Sequence, residues 1–204
     1  VGDDDSPACA RVRRSDLGTA HMNLQFTGNL AFDSSLESFA PTQAQRDARA
    51  ELAAQFIPAG SRVFDLRHGG AALENLLPNG CCYQGADFSG EFPAKGAADA
   101  DLVVMLGVLE HVADVETFFT GLRFCNRDVI LSYCATDLCG EPERAARGLA
   151  NHLSFYDLAL LFDRYGFRIE CTAPVDASQV LMRLTRTDKL KPVTACSIAV
   201  VCND

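Results

Sequence analysis

The chain has 204 residues, of which 48% are hydrophobic and 22% are charged, and its formal net charge is −9. This length and composition are ordinary for one globular α/β domain with a sizeable core. The sequence contains no run of about eighteen apolar residues, so a membrane span is not expected, and the negative charge disfavours unaided binding to nucleic acid or anionic lipid.

Nine cysteines are present, an odd number, and none of them forms a Cys-x-x-Cys pair. Because the spacings do not match those of zinc ligands, no metal site is predicted. Several cysteines lie in apolar runs, where the side chain behaves as a small hydrophobe. Free thiols indicate a reducing, cytoplasmic setting, and the acidic residues 1–5 lack the basic and apolar blocks of a secretory signal.

The first part of the chain separates into a leader and a helix. Residues 1–40 begin polar and charged and then mix aromatics with glycine and serine, a pattern typical of an irregular segment that caps a domain. Pro41 and Thr42 mark a helix start, and apolar residues recur near helical spacing over residues 43–56. We expect one structured domain to begin at residue 41 and to extend to residue 187.

Strand and helix signals then alternate along the chain. Residues 61–66 read as a first strand, a glycine turn follows, and residues 71–77 read as a helix. The further predicted elements are a strand at 81–86 that ends at Asp87, strands at 102–106 and 128–133, helices at 115–124 and 154–165, and a closing strand pair at 167–171 and 180–184. Ser154 is the predicted N-cap of the second of these helices, and Gly166 is its predicted end. This alternation predicts an α/β fold with a mostly parallel central sheet, helices on both faces and a closing antiparallel strand pair.

The segment from Asp101 to Val112 carries the clearest signal of a site. Its apolar run reads as a strand buried in the centre of a parallel sheet, and Gly107 ends that strand. Glu110 and His111 follow directly. Because ligands in such sheets bind beyond the carboxyl ends of the strands, a site is predicted at this pair. The alternative is a loop pair at a helix start, where the helix dipole favours the glutamate.

Three segments resemble motifs of the class I S-adenosylmethionine-dependent methyltransferases. Residues 63–70 resemble the glycine-rich first motif of that family, and residues 106–112 resemble the motif after its fourth strand. Residues 151–154 and 161–167 resemble its late helix and the turn into the closing strands. The motifs occur in one order and at sensible spacing across residues 41–187. The resemblance implies a Rossmann-like methyltransferase fold.

The resemblance also implies S-adenosylmethionine as cofactor and a set of residues that bind it. The turn at Gly69 would cradle the methionine part of the cofactor, since glycine allows a close approach of the backbone, and Asp65 would organise that turn. Asp87 would accept hydrogen bonds from the ribose hydroxyls. Leu106 and Glu110 would contact the cofactor and the substrate.

The implied reaction is methyl transfer to a small-molecule or saccharide-like acceptor. The methyl donor is already activated, so the protein mainly supplies alignment and a dry, polar environment. A general base is needed only when the acceptor is a hydroxyl. His111 is the first candidate for that base and His152 is the second.

Two features depart from the family pattern. Arg67 and Ala71 stand where the first motif usually has glycine, which would bring a long cation to the cofactor site. In addition, only residues 88–100 separate Asp87 from the next strand, which is too short for a helix, a strand and a loop. Either one crossover is missing, or Asp87 ends the family's third strand and the second strand is lost.

These departures support a rival hypothesis, in which a catalytically inactive domain of the same fold serves as a binding or scaffolding module. A dinucleotide oxidoreductase is a weaker alternative, because the glycine pattern is poorer for that class. Residues 188–204 read either as the last strand of this sheet or as the start of a following domain. A following domain or a second copy of the chain is therefore considered as a partner besides the small-molecule acceptor.

Overall fold

The computed structural model describes residues 42–69, 72–125 and 127–187. The predicted leader (1–40) and the predicted C-terminal strand or following domain (188–204) lie outside these residues. The described elements, in chain order, are α1 (Gln43–Ala54), β1 (Arg62–Arg67), a 3₁₀ turn (Ala72–Leu76), β2 (Cys82–Asp87), β3 (Leu102–Leu106), a second 3₁₀ turn (Leu109–His111), α2 (Val115–Phe124), β4 (Asp128–Tyr133), α3 (Glu141–Ala146), α4 (Phe155–Arg164), β5 (Phe167–Pro174) and β6 (Val180–Arg186). We call the second 3₁₀ turn the histidine turn.

Two of the helices begin at reciprocal caps that the sequence encodes locally. The hydroxyl of Thr42 accepts a hydrogen bond from the backbone N–H of Gln45 (3.2 Å), and the side chain of Gln45 accepts one from the backbone N–H of Thr42 (2.9 Å). Ser154 and Asp157 form the same arrangement at the start of α4. The predicted N-cap at Ser154 is confirmed, and α4 is followed by Gly166 in a left-handed conformation (φ 75°).

Other local predictions differ from the structure. Residues 72–76 form a 3₁₀ turn rather than the predicted α-helix. The predicted helix over 43–56 ends earlier, at Ala54. The short helix α3 was not predicted, because its Glu-Pro-Glu-Arg sequence carries no apolar periodicity.

The six strands form one sheet in the order β2-β1-β3-β4-β6-β5. The first four are parallel, β6 runs antiparallel to β4, and β5 runs antiparallel to β6. This arrangement confirms the predicted α/β fold class, including its closing antiparallel pair. Among the described residues, no helix is long and apolar enough to cross a membrane.

The sheet also decides which strand carries Asp87. β2 pairs directly with β1, in a register that places Asp87 opposite Arg67. In the doubly wound order 3-2-1-4-5-6, the strand beside the first strand is the second one. Asp87 therefore ends the second strand, and the outer third strand has no counterpart among the described residues. Residues 88–100 form bends and turns that lead straight into β3.

The core lies on both faces of the sheet. Val103 and Met105 of β3 contact a cluster that includes side chains of α2 and α4. Leu102 and Val104 point the other way and contact a cluster that includes Ala50 of α1. Because both faces are covered, β3 is apolar at every position, as the sequence indicated. The carboxyl ends of β1 and β3, beside α1, remain as the edge where a ligand can enter.

Candidate functional site

A cleft lies at the carboxyl ends of β1 and β3 and is closed on one side by α1. Asp65, Gly69 and Leu106, three of the five predicted cofactor residues, line it. The other lining residues include three arginines and a histidine: Arg46, Arg49, Arg67 and His68. The cavity volume is about 40 Å³, which is room for a few water molecules.

The turn at Gly69 presents open backbone to this cleft. Gly69 has φ +77°, a left-handed conformation that L side chains rarely adopt. Apart from its chain neighbours, no described residue has an atom within 4 Å of a Cβ added there. The glycine is therefore required by the backbone conformation, and no described side chain fills the space beside it.

Asp65 is buried at the cleft and accepts a hydrogen bond from a side chain of β2. Its carboxylate accepts a hydrogen bond from the Tyr83 hydroxyl at 2.9 Å. Burial raises the pKa of Asp65 to about 6, although Tyr83 and the charge of Arg67 act in the opposite direction. The same burial, together with the nearby carboxylate, raises the pKa of Tyr83. The side chain of Asp65 thus ties β1 to β2 at the floor of the cleft.

Arg67 reaches across to β2 and pairs with Asp87. Its Nη2 lies 3.1 Å from the Asp87 carboxylate, and the two side chains are 24% and 79% exposed. The guanidinium also covers Gly85, where an added Cβ would lie 3.1 Å from the Cζ of Arg67. Asp87, the predicted ribose acceptor, is therefore engaged by Arg67.

Arg49, which the sequence analysis did not single out, is the buried cation of the cleft. It is 5% exposed, and a Cβ added at Gly107 would overlap its Nη1. Within the described part of the chain its Nε has no hydrogen-bond partner. Burial lowers the pKa of Arg49, and the charge of Glu110 opposes that change. Its position between two alanines of an amphipathic helix gave no signal of a site.

Glu110 is buried behind this arginine and does not line the cleft. It is 3% exposed, and its Oε1 accepts a hydrogen bond from the Gln179 side chain at 2.9 Å. Its Oε2 has no partner among the described residues. Burial raises the pKa of Glu110, while Arg49 and Gln179 act in the opposite direction.

The two predicted bases have different surroundings. The ring of His111 stacks on that of His68, with 4.0 Å between the centroids and 23° between the planes. Burial lowers the pKa of His111, and the neighbouring charges of His68 and Arg49 lower it further, so the imidazole is neutral near pH 7. His152 is exposed and pairs with Glu141 at 3.2 Å. His111 thus shares the stack with a residue of the cleft, whereas His152 belongs to a surface pair.

The described residues contain no group of three or more histidine, cysteine, aspartate or glutamate side chains that could hold a metal ion. Six cysteines fall within these residues, and all six are free thiols: Cys81, Cys82, Cys125, Cys134, Cys139 and Cys171.

Comparison with known proteins finds similarity to solved structures but no match at the level of sequence. No family model matches the sequence, and no curated protein matches it. The pyocyanin biosynthetic protein PhzM is similar with a TM-score of 0.53 and 13% identity, over 70% of this chain and 55% of that chain. CalO1, a methyltransferase in calicheamicin biosynthesis in its SAH-bound form, gives 0.53 and 14%, over 70% and 54%. A SAM dependent methyltransferase from Aquifex aeolicus gives 0.53 and 10%, over 70% and 93%.

These similarities define the class of fold. The chain has the class I methyltransferase fold, with the outer third strand lacking from the described sheet. It spans 55% of PhzM and 54% of CalO1 but 93% of the Aquifex protein. At identities of 10–14% the likeness concerns the fold alone, because one fold supports many functions.

Proposed function

We propose that this chain binds S-adenosylmethionine in the cleft between β1, β3 and α1 and transfers its methyl group to a small-molecule or saccharide-like acceptor. The observation that carries the proposal is the meeting of Asp65, the Gly69 turn and Leu106 in one cleft at the carboxyl ends of the strands. That is where ligands bind in open α/β sheets. The SAH-bound form of CalO1 shares this fold.

The cleft must widen to hold the cofactor, because ligand pockets typically measure some 300–1,000 Å³. Arg67 is the side chain that can move. Its pair with Asp87 is largely exposed on the Asp87 side, and ion pairs of that kind contribute only about 0.2–1 kcal/mol. A rotation of Arg67 would open the β2 side of the cleft and free the Asp87 carboxylate for ribose hydroxyls. The backbone at Gly69 requires no change.

Arg49 fits the other end of the same ligand. Its guanidinium is buried and lines the cleft, and its Nε has no partner within the described ranges of the chain. A buried arginine of this kind is suited to a carboxylate, such as that of the methionine part of the cofactor. The residues that we propose to hold the cofactor are therefore Arg49, Asp65, Gly69, Asp87 and Leu106.

Bound cofactor would supply an activated methyl group on a sulfonium. This chain would supply orientation, exclusion of water and, for a hydroxyl acceptor, a base. His111 is suited to that role because its neutral imidazole shares a stack with His68 at the cleft. His152 is a weaker candidate because it pairs with Glu141 on the surface. Glu110 lies outside the cleft, and its negative charge stabilises the charged form of Arg49.

We further propose residues 41–187 as the methyltransferase-like domain. The free thiols in the described part of the chain support a cytoplasmic setting for it.

Isothermal titration calorimetry with S-adenosylmethionine and S-adenosylhomocysteine tests the proposal. We expect saturable binding with a Kd well below 1 mM, that is, more favourable than about −4.1 kcal/mol. We also expect a rise in melting temperature with ligand concentration. Arg49→Met should abolish binding, whereas Arg164→Met, at an exposed arginine that pairs with Glu116, is the matched control. Absence of heat and of stabilisation with both ligands would exclude the proposed function.

A second candidate function is a binding or scaffolding module without methyl transfer. The observation that favours it is the presence of three arginine side chains in a cleft of about 40 Å³. This alternative predicts that the melting temperature stays constant with either ligand, and that Arg67→Ala does not create binding.

A further inference from the structure

The histidine turn is held by the chain segment that precedes α4. The side-chain amide of Asn151 donates hydrogen bonds to the carbonyl of Leu109 (2.6 Å) and to the carbonyl of Val112 (2.9 Å). The backbone N–H of Ala150 donates to the carbonyl of Glu110 (2.8 Å). Three carbonyls around the turn are therefore fixed by two neighbouring residues that lie far away in the sequence.

Asn151 is itself fixed by a buried network. Its side-chain oxygen accepts a hydrogen bond from the Tyr133 hydroxyl, which in turn accepts one from the backbone N–H of Leu153 (3.1 Å). Arg144 donates to the backbone carbonyl of Asn151 (2.6 Å), to that of Cys134 and to the Tyr133 hydroxyl (3.3 Å). Because one amide supplies both donors and the acceptor, its orientation is determined by its partners.

Arg144 makes this network costly to bury. Its side chain is 0% exposed, and within the described residues it forms no ion pair with a carboxylate. Its Nη atoms donate to two carbonyls and a hydroxyl, while its Nε has no partner among the described residues. A buried charge of this kind contributes little to stability compared with apolar residues of the same volume. The arginine is better explained by the geometry that it imposes on Tyr133 and Asn151.

We propose that Asn151 is a positioning residue for His111, and that Tyr133 and Arg144 hold its amide in the orientation that fixes the histidine turn. The inference rests on the proposed function, in which His111 accepts a proton from the acceptor. The His111 ring is half-buried and stacks on His68 of the cleft. A shift of the turn would change the distance of the ring from the cleft and its exposure to water.

Asn151→Asp tests the proposal with an isosteric change. The variant replaces both donors by an oxygen that faces two carbonyls, while it keeps an acceptor for Tyr133. Tyr133→Phe is a second test that adds no charge, because it removes the hydrogen bond that orients the Asn151 amide. Asn79→Asp makes the same chemical change at an exposed position and is the matched control.

Two NMR readouts report on the turn without any ligand. The Val112 amide donates to the Leu109 carbonyl, and its protection from hydrogen exchange should fall by about tenfold in both variants. The amide of Val104 in β3 should keep its protection. The pKa of His111, lowered by burial and by the charges of His68 and Arg49, should rise towards that of an exposed histidine, and Tyr133→Phe shows this without an added charge.

Wild-type protection of Val112 and a wild-type His111 titration in both variants would overturn the positioning role. If Asn151→Asp loses the protection of Val104 as well, the variant is unfolded and Tyr133→Phe decides alone. A calorimetric titration of the wild type with S-adenosylhomocysteine separates the two proposals. Lack of binding would overturn the proposed function only, because the two NMR readouts need no ligand.

Discussion

Arg67, which pairs with the predicted ribose acceptor Asp87, gives the sharpest test of the proposed cofactor site. Arg67 pairs with Asp87 at 3.1 Å and covers Gly85. If this side chain stands in space that the ribose would use, a ligand has to displace it before binding. Arg67→Ala removes that cost, whereas Asp87→Asn removes the proposed acceptor of the ribose hydroxyls. The two halves of one ion pair should therefore change affinity in opposite directions.

The size of each effect follows from the exposure of the pair. Because the Asp87 side chain is 79% exposed, the pair contributes about 0.2–1 kcal/mol. Arg67→Ala should then strengthen the binding of S-adenosylhomocysteine by at most about fivefold. Hydrogen bonds to a charged group contribute about 1.5–3 kcal/mol, so Asp87→Asn should weaken binding by about tenfold or more.

Calorimetric titration of both variants and of the wild type provides the measurement, with thermal unfolding as a check that each variant is folded. A loss of about tenfold in Arg67→Ala would refute the reasoning, because Arg67 would then be a ligand for the cofactor rather than an obstacle. Equal changes of the same sign in the two variants would also refute it, since the pair would then act only on the structure of the β1–β2 edge.

Three further predictions concern residues in or beside the cleft. The pKa of Asp65 rises from 3.8 to about 6 on folding, so the folded state binds more protons than the unfolded state between these pH values. The wild type should therefore lose up to about 3 kcal/mol of stability as pH rises from 4 to 7. Asp65→Asn removes this loss, so its gain in stability over the wild type, measured by urea titration, should be larger at pH 7 than at pH 4.5. Gly69 and Gly107 both have a positive φ, so alanine at either position should lower the free energy of unfolding by about 1–2 kcal/mol. Gly107→Ala would also displace Arg49 and should lower it by about 1–3 kcal/mol more. Equal losses in the two variants would contradict this packing. His111→Gln should leave the affinity for S-adenosylhomocysteine within about twofold and slow methyl transfer to a hydroxyl acceptor by about a hundredfold or more, and an unchanged rate would exclude His111 as the base.

The sequence predicted the elements whose signals are local. β3 and β4 occupy the predicted ranges 102–106 and 128–133, because a continuous apolar run between turn residues identifies a strand with two covered faces. Ser154 caps α4 as expected, since a capping box lies within four residues of sequence. Asp65, Gly69 and Leu106 meet because parallel strands end at one edge.

Only the tertiary structure decided how the side chains of the site are engaged. Arg49 becomes a buried cleft residue only because α1 packs beside Gly107. Arg67 and Asp87 pair because β2 lies beside β1 in a register that places the two residues opposite each other. The Asn151 amide donates directly to carbonyls at the histidine turn, and Tyr133 donates to the oxygen of that amide. Each of these contacts joins segments that are distant in sequence, and periodicity and spacing report only on neighbours along the chain.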